Sequence, residues 1–76
     1  MDIKIFSTPT CPYCKMAKEY LSAQNISYAD IDVSADDAAR NQMVELSGQM
    51  GVPVIVIDGD VIVGFDKNRI DSILKK

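Results

Sequence analysis

The chain is 76 residues long, 47% hydrophobic and 25% charged, with a net charge of −3. That length makes one domain spanning residues 1–76, and a domain so short buries only about 60% of the surface its unfolded chain exposes, so its core must be efficient. The basic residues are dispersed, with only Lys75 and Lys76 adjoining, which excludes the clustered basic face that nucleic acid or an anionic membrane surface requires.

Ile3-Lys4-Ile5-Phe6 is a short β-rich run, ended by Ser7-Thr8-Pro9-Thr10. From Pro12 to about Gln24 the apolar positions Ala17, Tyr20 and Leu21 recur at helical spacing. Pro12 suits the first turn of that helix, where a missing N–H costs nothing, and Asn25 suits its end. Residues 26–33 alternate apolar and polar (Ile26, Tyr28, then Ile31 and Val33) and read as a second strand. Ser34-Ala35-Asp36-Asp37 has the look of a capping box with an acidic first turn. Ala39, Met43 and Leu46 follow as a helical stripe ending at Gly48. Val54-Ile55-Val56-Ile57 is a third strand, Asp58-Gly59 a two-residue hairpin turn and Val61-Ile62-Val63 a fourth strand. Asp66 can cap a last helix carrying Ile70, Ile73 and Leu74.

The resulting order is β-α-β-α-β-β-α. A right-handed crossover makes the first two strands parallel, and the Asp-Gly turn makes the last two antiparallel. The economical solution is an α/β domain with a four-stranded mixed sheet and three helices, the thioredoxin-like architecture in its minimal form. The longest apolar run, Val52 to Ile57, is interrupted by Pro53 and is too short to span a bilayer. The N-terminus, Met1-Asp2-Ile3-Lys4 and then Ser7-Thr8-Pro9, lacks the basic start and small-residue cleavage site of a secretory signal, so a cytoplasmic protein is expected.

Both cysteines lie in one C-x-x-C, Cys11-Pro12-Tyr13-Cys14, at the junction of the first strand and first helix. In a cytosolic chain with strand–helix–strand patterning this reads as redox chemistry. Residues three apart on a helix share a face, so Cys14 can reach back to Cys11 at the helix start. There the free N–H groups and the macrodipole favour negative charge, and the thiolate is the nucleophile. Lys15 and Lys18 add favourable charge, while Cys14, one turn in, is expected to stay protonated until it resolves a mixed disulfide. Other uses of two cysteines are weaker. A structural disulfide across so short a loop would constrain the unfolded chain little, and the cytosol would reduce it. A tetrahedral zinc site needs four ligands, and there is no His and no third Cys. An iron–sulfur cluster or metal shared between two chains is a further alternative, as are two inert buried thiols. The second half of the site is Gly51-Val52-Pro53-Val54. Proline is excluded from most strand interiors, so Pro53 marks either a cis bond that turns the Val52 backbone toward the dithiol or a trans proline starting an edge strand.

These residues resemble those of glutaredoxins along nearly the whole chain. The likeness rests on Thr8-Pro9-Thr10-Cys11-Pro12-Tyr13-Cys14, on Ser47-Gly48 before Val52-Pro53, and on Ile57-Asp58-Gly59 followed by Ile62-Val63-Gly64-Phe65-Asp66. It implies a dithiol–disulfide oxidoreductase that reduces protein disulfides or glutathione mixed disulfides through Cys11 and Cys14, supported by Pro12, Tyr13 and a cis Pro53. It also implies glutathione as co-substrate, with Cys11 forming the mixed disulfide and Tyr13 flanking it. Val52 would pair with the tripeptide backbone beside Pro53, Gly64 and Asp66 would receive the γ-glutamyl end, and Arg40 the glycine carboxylate. Three positions depart from the family. Thr8 stands where many members carry Lys, Gly51 where Thr is usual, and Val63-Gly64 where a Gly-Gly pair is usual. Val63-Gly64-Phe65 is more similar to the redoxins that take electrons from thioredoxin reductase and serve ribonucleotide reductase. The expectation is a monomer with no tightly bound cofactor, acting on disulfide-containing proteins.

Overall fold

A computed structural model of the chain describes residues 2–74; the Lys75-Lys76 pair lies outside them. The elements run β1 (Ile3–Ser7), α1 (Pro12–Ala23), β2 (Ala29–Asp32), α2 (Asp37–Ser47), β3 (Val54–Ile57), β4 (Asp60–Val63) and α3 (Lys67–Leu74). The strands form one sheet in the order β2-β1-β3-β4. β1 pairs parallel with β2, with Ile5 opposite Asp30. It pairs antiparallel with β3, with Ile5 opposite Ile55, and β3 pairs antiparallel with β4. The expected four-stranded mixed sheet, its three helices and their order are all present.

The period of two along each strand sends alternate side chains to opposite faces. Ile3 and Ile5 of β1, Ile55 and Ile57 of β3 and Ile62 of β4 join Ala17 and Leu21 of α1 and Ile70 of α3 in one core. Phe6 and Val54 point the other way and meet Val33 with Ala39 and Met43 of α2. The central strand β3 is therefore apolar at every position because helices cover both of its faces. Full burial of each such side chain contributes roughly 1.5–3 kcal/mol.

The helix ends follow local chemistry. Asn25 is left-handed (φ 59°) after α1, and the N–H of Ile26 returns to the Leu21 carbonyl at 3.0 Å. That closes a Schellman-type stop and tucks Ile26 against the core. The hairpin turn has φ of 48° at Asp58 and 91° at Gly59, the two positive values a two-residue turn needs to match strand twist.

Three expectations are corrected. α2 is capped by Asp36, whose carboxylate accepts from the Ala39 N–H at 3.1 Å. Ser34 instead donates to Asp32 at the end of β2, because the helix begins at Asp37 and the residue at its N-cap position is Asp36. The second strand is shorter than 26–33: residues 29–32 lie in register with residues 4–7 of β1, and the Val33 N–H adds a last bond to the Ser7 carbonyl at 2.9 Å. Leu46 is exposed, not part of the α2 stripe, because past Ala39 and Met43 the less exposed side of that helix continues through Val44 and Ser47.

Candidate active site

The chain leaves β1 at Ser7, turns through Thr8-Pro9-Thr10, and enters α1 at Cys11. Cys11 is the N-cap, with extended backbone (φ −92°, ψ 113°), and Pro12 occupies the first helical position. The Cys11 sulfur takes the place of the usual capping oxygen. It accepts from the Cys14 N–H at 3.2 Å, one of the donors that a helix start leaves without a backbone partner. An anionic sulfur suits that position, because the helix end carries partial positive charge. Both thiols are free, Cys11 half-buried and Cys14 buried. Burial pushes the Cys14 thiol up to about 11, and its hydrogen bond with Cys11 adds to the rise. The Thr8 backbone and the Lys18 charge pull the other way. One thiol at the rim and one held protonated beneath it suit stepwise thiol–disulfide exchange.

The second half of the site arrives from 41 residues along the chain. The Val52 carbonyl oxygen lies 3.9 Å from the Cys11 sulfur. The Val52-Pro53 bond is cis, and Pro53 is buried. The Gly64 N–H donates to the Pro53 carbonyl at 2.8 Å. Gly64 has a φ of 81°, a backbone state that disfavours any side chain. Cys11, Cys14, Val52, Pro53 and Gly64 are thus joined by direct contacts at one end of the sheet. Tyr13 stands on the first turn of α1 with its ring exposed.

Two of the expected residues are engaged elsewhere. The Asp66 carboxylate accepts from the Arg69 N–H at 3.2 Å and caps α3. Arg40 lies on α2 and pairs with Asp37, one turn earlier, at 3.5 Å. Two features were not foreseen. The Gln49 amide brackets Gly51, accepting its N–H at 3.2 Å and donating to its carbonyl at 3.1 Å. A Cβ on Gly51 would come within 2.7 Å of the Gln49 oxygen. The other is the partner of Lys18, the Asp30 carboxylate of β2 at 2.9 Å. The spacing of Lys18 four residues after Cys14 is visible in the sequence, but its partner depends on which strand lies beside α1.

The glutaredoxin family model matches residues 3–62. An uncharacterized glutaredoxin-like 8.6 kDa protein in a rubredoxin operon of Clostridium pasteurianum is 55% identical over 74 residues, covering 97% of this chain and 99% of that one. The chain belongs to the glutaredoxin family. As a glutaredoxin it is a thiol–disulfide oxidoreductase with a thioredoxin-like fold. The crystal structure of a thioredoxin-like protein, 35% identical, superposes with a TM-score of 0.92 and covers 97% of this glutaredoxin and 95% of that chain. A buckwheat glutaredoxin solved as a complex with glutathione is 26% identical, with a TM-score of 0.77 over 97% of this chain and 70% of its own. Among the described residues no helix is long and apolar enough to cross a membrane.

Proposed function

We propose that this glutaredoxin reduces protein disulfides or glutathione mixed disulfides with Cys11 as nucleophile and Cys14 as resolving thiol, acting in the cytoplasm as a single-domain monomer over residues 1–76. The carrying observation is the pair geometry: the Cys14 N–H points at the Cys11 sulfur while the Cys14 side chain is buried. Cys11 thiolate attacks a substrate sulfur, forming a mixed disulfide and releasing the first thiolate. Cys14 then displaces the second, and the Cys11–Cys14 disulfide forms as the substrate disulfide takes up two electrons.

Glutathione is the proposed electron donor. Val52, set by Pro53, offers its backbone beside Cys11, Tyr13 offers an exposed ring, Gly64 and the Asp66 carboxylate receive the γ-glutamyl end, and Arg40 offers a cation for the glycine carboxylate. The buckwheat relative, solved with glutathione, supports this reading. A second donor, thioredoxin reductase, with ribonucleotide reductase as the client, is favoured by the surroundings of Gly51. There the Gln49 amide fills the space of the family's usual Thr side chain.

NADPH consumption with a mixed-disulfide substrate separates the two donors. With glutathione and its reductase, Cys14→Ser should retain turnover, because one thiolate suffices for exchange with a glutathione mixed disulfide. Asp66→Asn keeps the cap on α3 but removes the charge, and should slow that route by about tenfold, the worth of one charge-assisted hydrogen bond. With thioredoxin reductase alone, Cys14→Ser should be inactive, since that enzyme must be offered an intramolecular disulfide. Turnover with the reductase only, unchanged by Asp66→Asn, rules out the glutathione groove.

A further inference from the structure

The resolving step has an electrostatic difficulty that the dithiol alone does not meet. Cys14 is fully buried, and desolvation disfavours the thiolate it must become before it can attack. The Cys14 N–H is spent on the Cys11 sulfur, and the Thr8 backbone offsets only part of the rise that burial causes.

The buried face of α1 runs Cys14, Ala17, Leu21. Lys18 lies one turn beyond Cys14 at the half-buried edge of that face. Its side chain is only 25% exposed, and its ammonium is fixed by Asp30 at 2.9 Å. Asp30 stands opposite Ile5 across the β1–β2 pair, so it shares a face with Ile5 and Ser7 and projects toward α1. Its other oxygen accepts from the Ser7 hydroxyl at 2.9 Å. Ser7 is the buried polar residue at the end of β1, immediately before the turn that leads to Cys11. A long flexible cation at this edge of a core would ordinarily extend into water; here both carboxylate oxygens of its partner are engaged, and one of those bonds is anchored on a buried hydroxyl. Against the rise caused by burial, the Thr8 backbone lowers the Cys14 thiol most, and the Lys18 charge adds a smaller lowering.

We infer that Lys18, held against the sheet by Asp30 and Ser7, is a positioning residue for the resolving step, its ammonium stabilising the Cys14 thiolate as it attacks the Cys11 mixed disulfide. In that step the Cys14 S–H gives its proton to water. The Cys14 sulfur forms a bond to the Cys11 sulfur, the bond from Cys11 to the substrate sulfur breaks, and the substrate leaves as a thiolate. The inference rests on the dithiol reading above and adds the group that eases its second half.

The test is single-turnover release of product from a preformed mixed disulfide between Cys11 and a small chromogenic thiol. Lys18→Met keeps the apolar stem and removes the charge, and should slow release by about tenfold, as loss of one nearby charge in a partly buried site would. Lys18→Arg should restore most of the rate. In a Cys14→Ser background, where external thiol does the releasing, Lys18→Met should produce no further loss. Equal losses with and without Cys14, or no loss with it, overturn the inference. Lys18→Gln provides a second neutral variant should Lys18→Met not fold. If the wild type itself fails to release the chromogenic thiol without external thiol, the dithiol reading falls instead, and the two failures are told apart.

Discussion

A buried thiol can be a store of stability as well as a reactant. The Cys14 thiol rises from an ordinary 9.0 to about 11 chiefly because burial penalises its charged form. Between those values the unfolded chain releases this proton while the native chain keeps it, so the unfolded state gains relative to the native one as pH rises. The contribution is complete below 9.0 and lost as pH climbs through about 11. Urea unfolding of the reduced protein, compared with Cys14→Ala, should therefore show an advantage of wild type that shrinks across that window; an advantage independent of pH would contradict the assigned burial. Single residues also divide what the sequence makes legible from what it does not. Cys11 and Cys14 announce themselves because two thiols three apart at a strand–helix junction have few other uses. Lys18 is visible only as a nearby cation, since Asp30 becomes its partner through strand pairing and through no local signal. The Gln49 bracket around Gly51 is equally silent, because a glutamine two residues before a glycine is ordinary surface composition.

Elements carry their own arguments at their ends. α1 begins on a sulfur cap and stops on a left-handed Asn25, whereas α2 begins on Asp36. Both Ser34 and Asp36 are residue types that cap helices, and only the helix's true phase chooses between them. Asp36→Ala should destabilise the protein by about 1 kcal/mol, measured by urea denaturation, and Ser34→Ala by clearly less. Equal costs would return the cap to Ser34. α3 is tied to α1 by a seam in which the Tyr20 hydroxyl donates to Asp71. Lys67 stands 5.4 Å above the Tyr20 ring, and Phe65 meets that ring edge-on at 5.7 Å. The hydroxyl bond to Asp71 raises the Tyr20 phenol, so the seam holds its proton into alkaline solution. Strand and helix identities were legible because each has a clear period. The boundaries of β2 were not, because pairing with β1 sets them and the alternation of residues 26–33 extends past the partner strand.

Across the whole molecule, the sheet order β2-β1-β3-β4 places the end of β1, the entry to β3 and the exit of β4 side by side. That arrangement brings Cys11 to Val52 from opposite halves of the chain and closes Gly64 onto Pro53. The overall order of elements could be read from the sequence because crossover handedness and a two-residue turn leave few topologies. The contacts inside the site could not, since they are set by sub-ångström packing between segments that no periodicity links. The contrast between a half-buried Cys11 and a Cys14 sealed under the first turn of α1 gives this protein an internal clock for its own breathing. In a Cys11→Ser variant, iodoacetamide can reach the remaining sulfur only when α1 lifts or the chain unfolds. Alkylation should then be far slower than that of a free thiol and should report the population of the open form when reclosing outpaces the chemistry. A rate that does not respond to low urea would identify that opening as a local fraying of the first turn; one that rises in step with global unfolding would show that the seal over the sulfur breaks only with the fold itself.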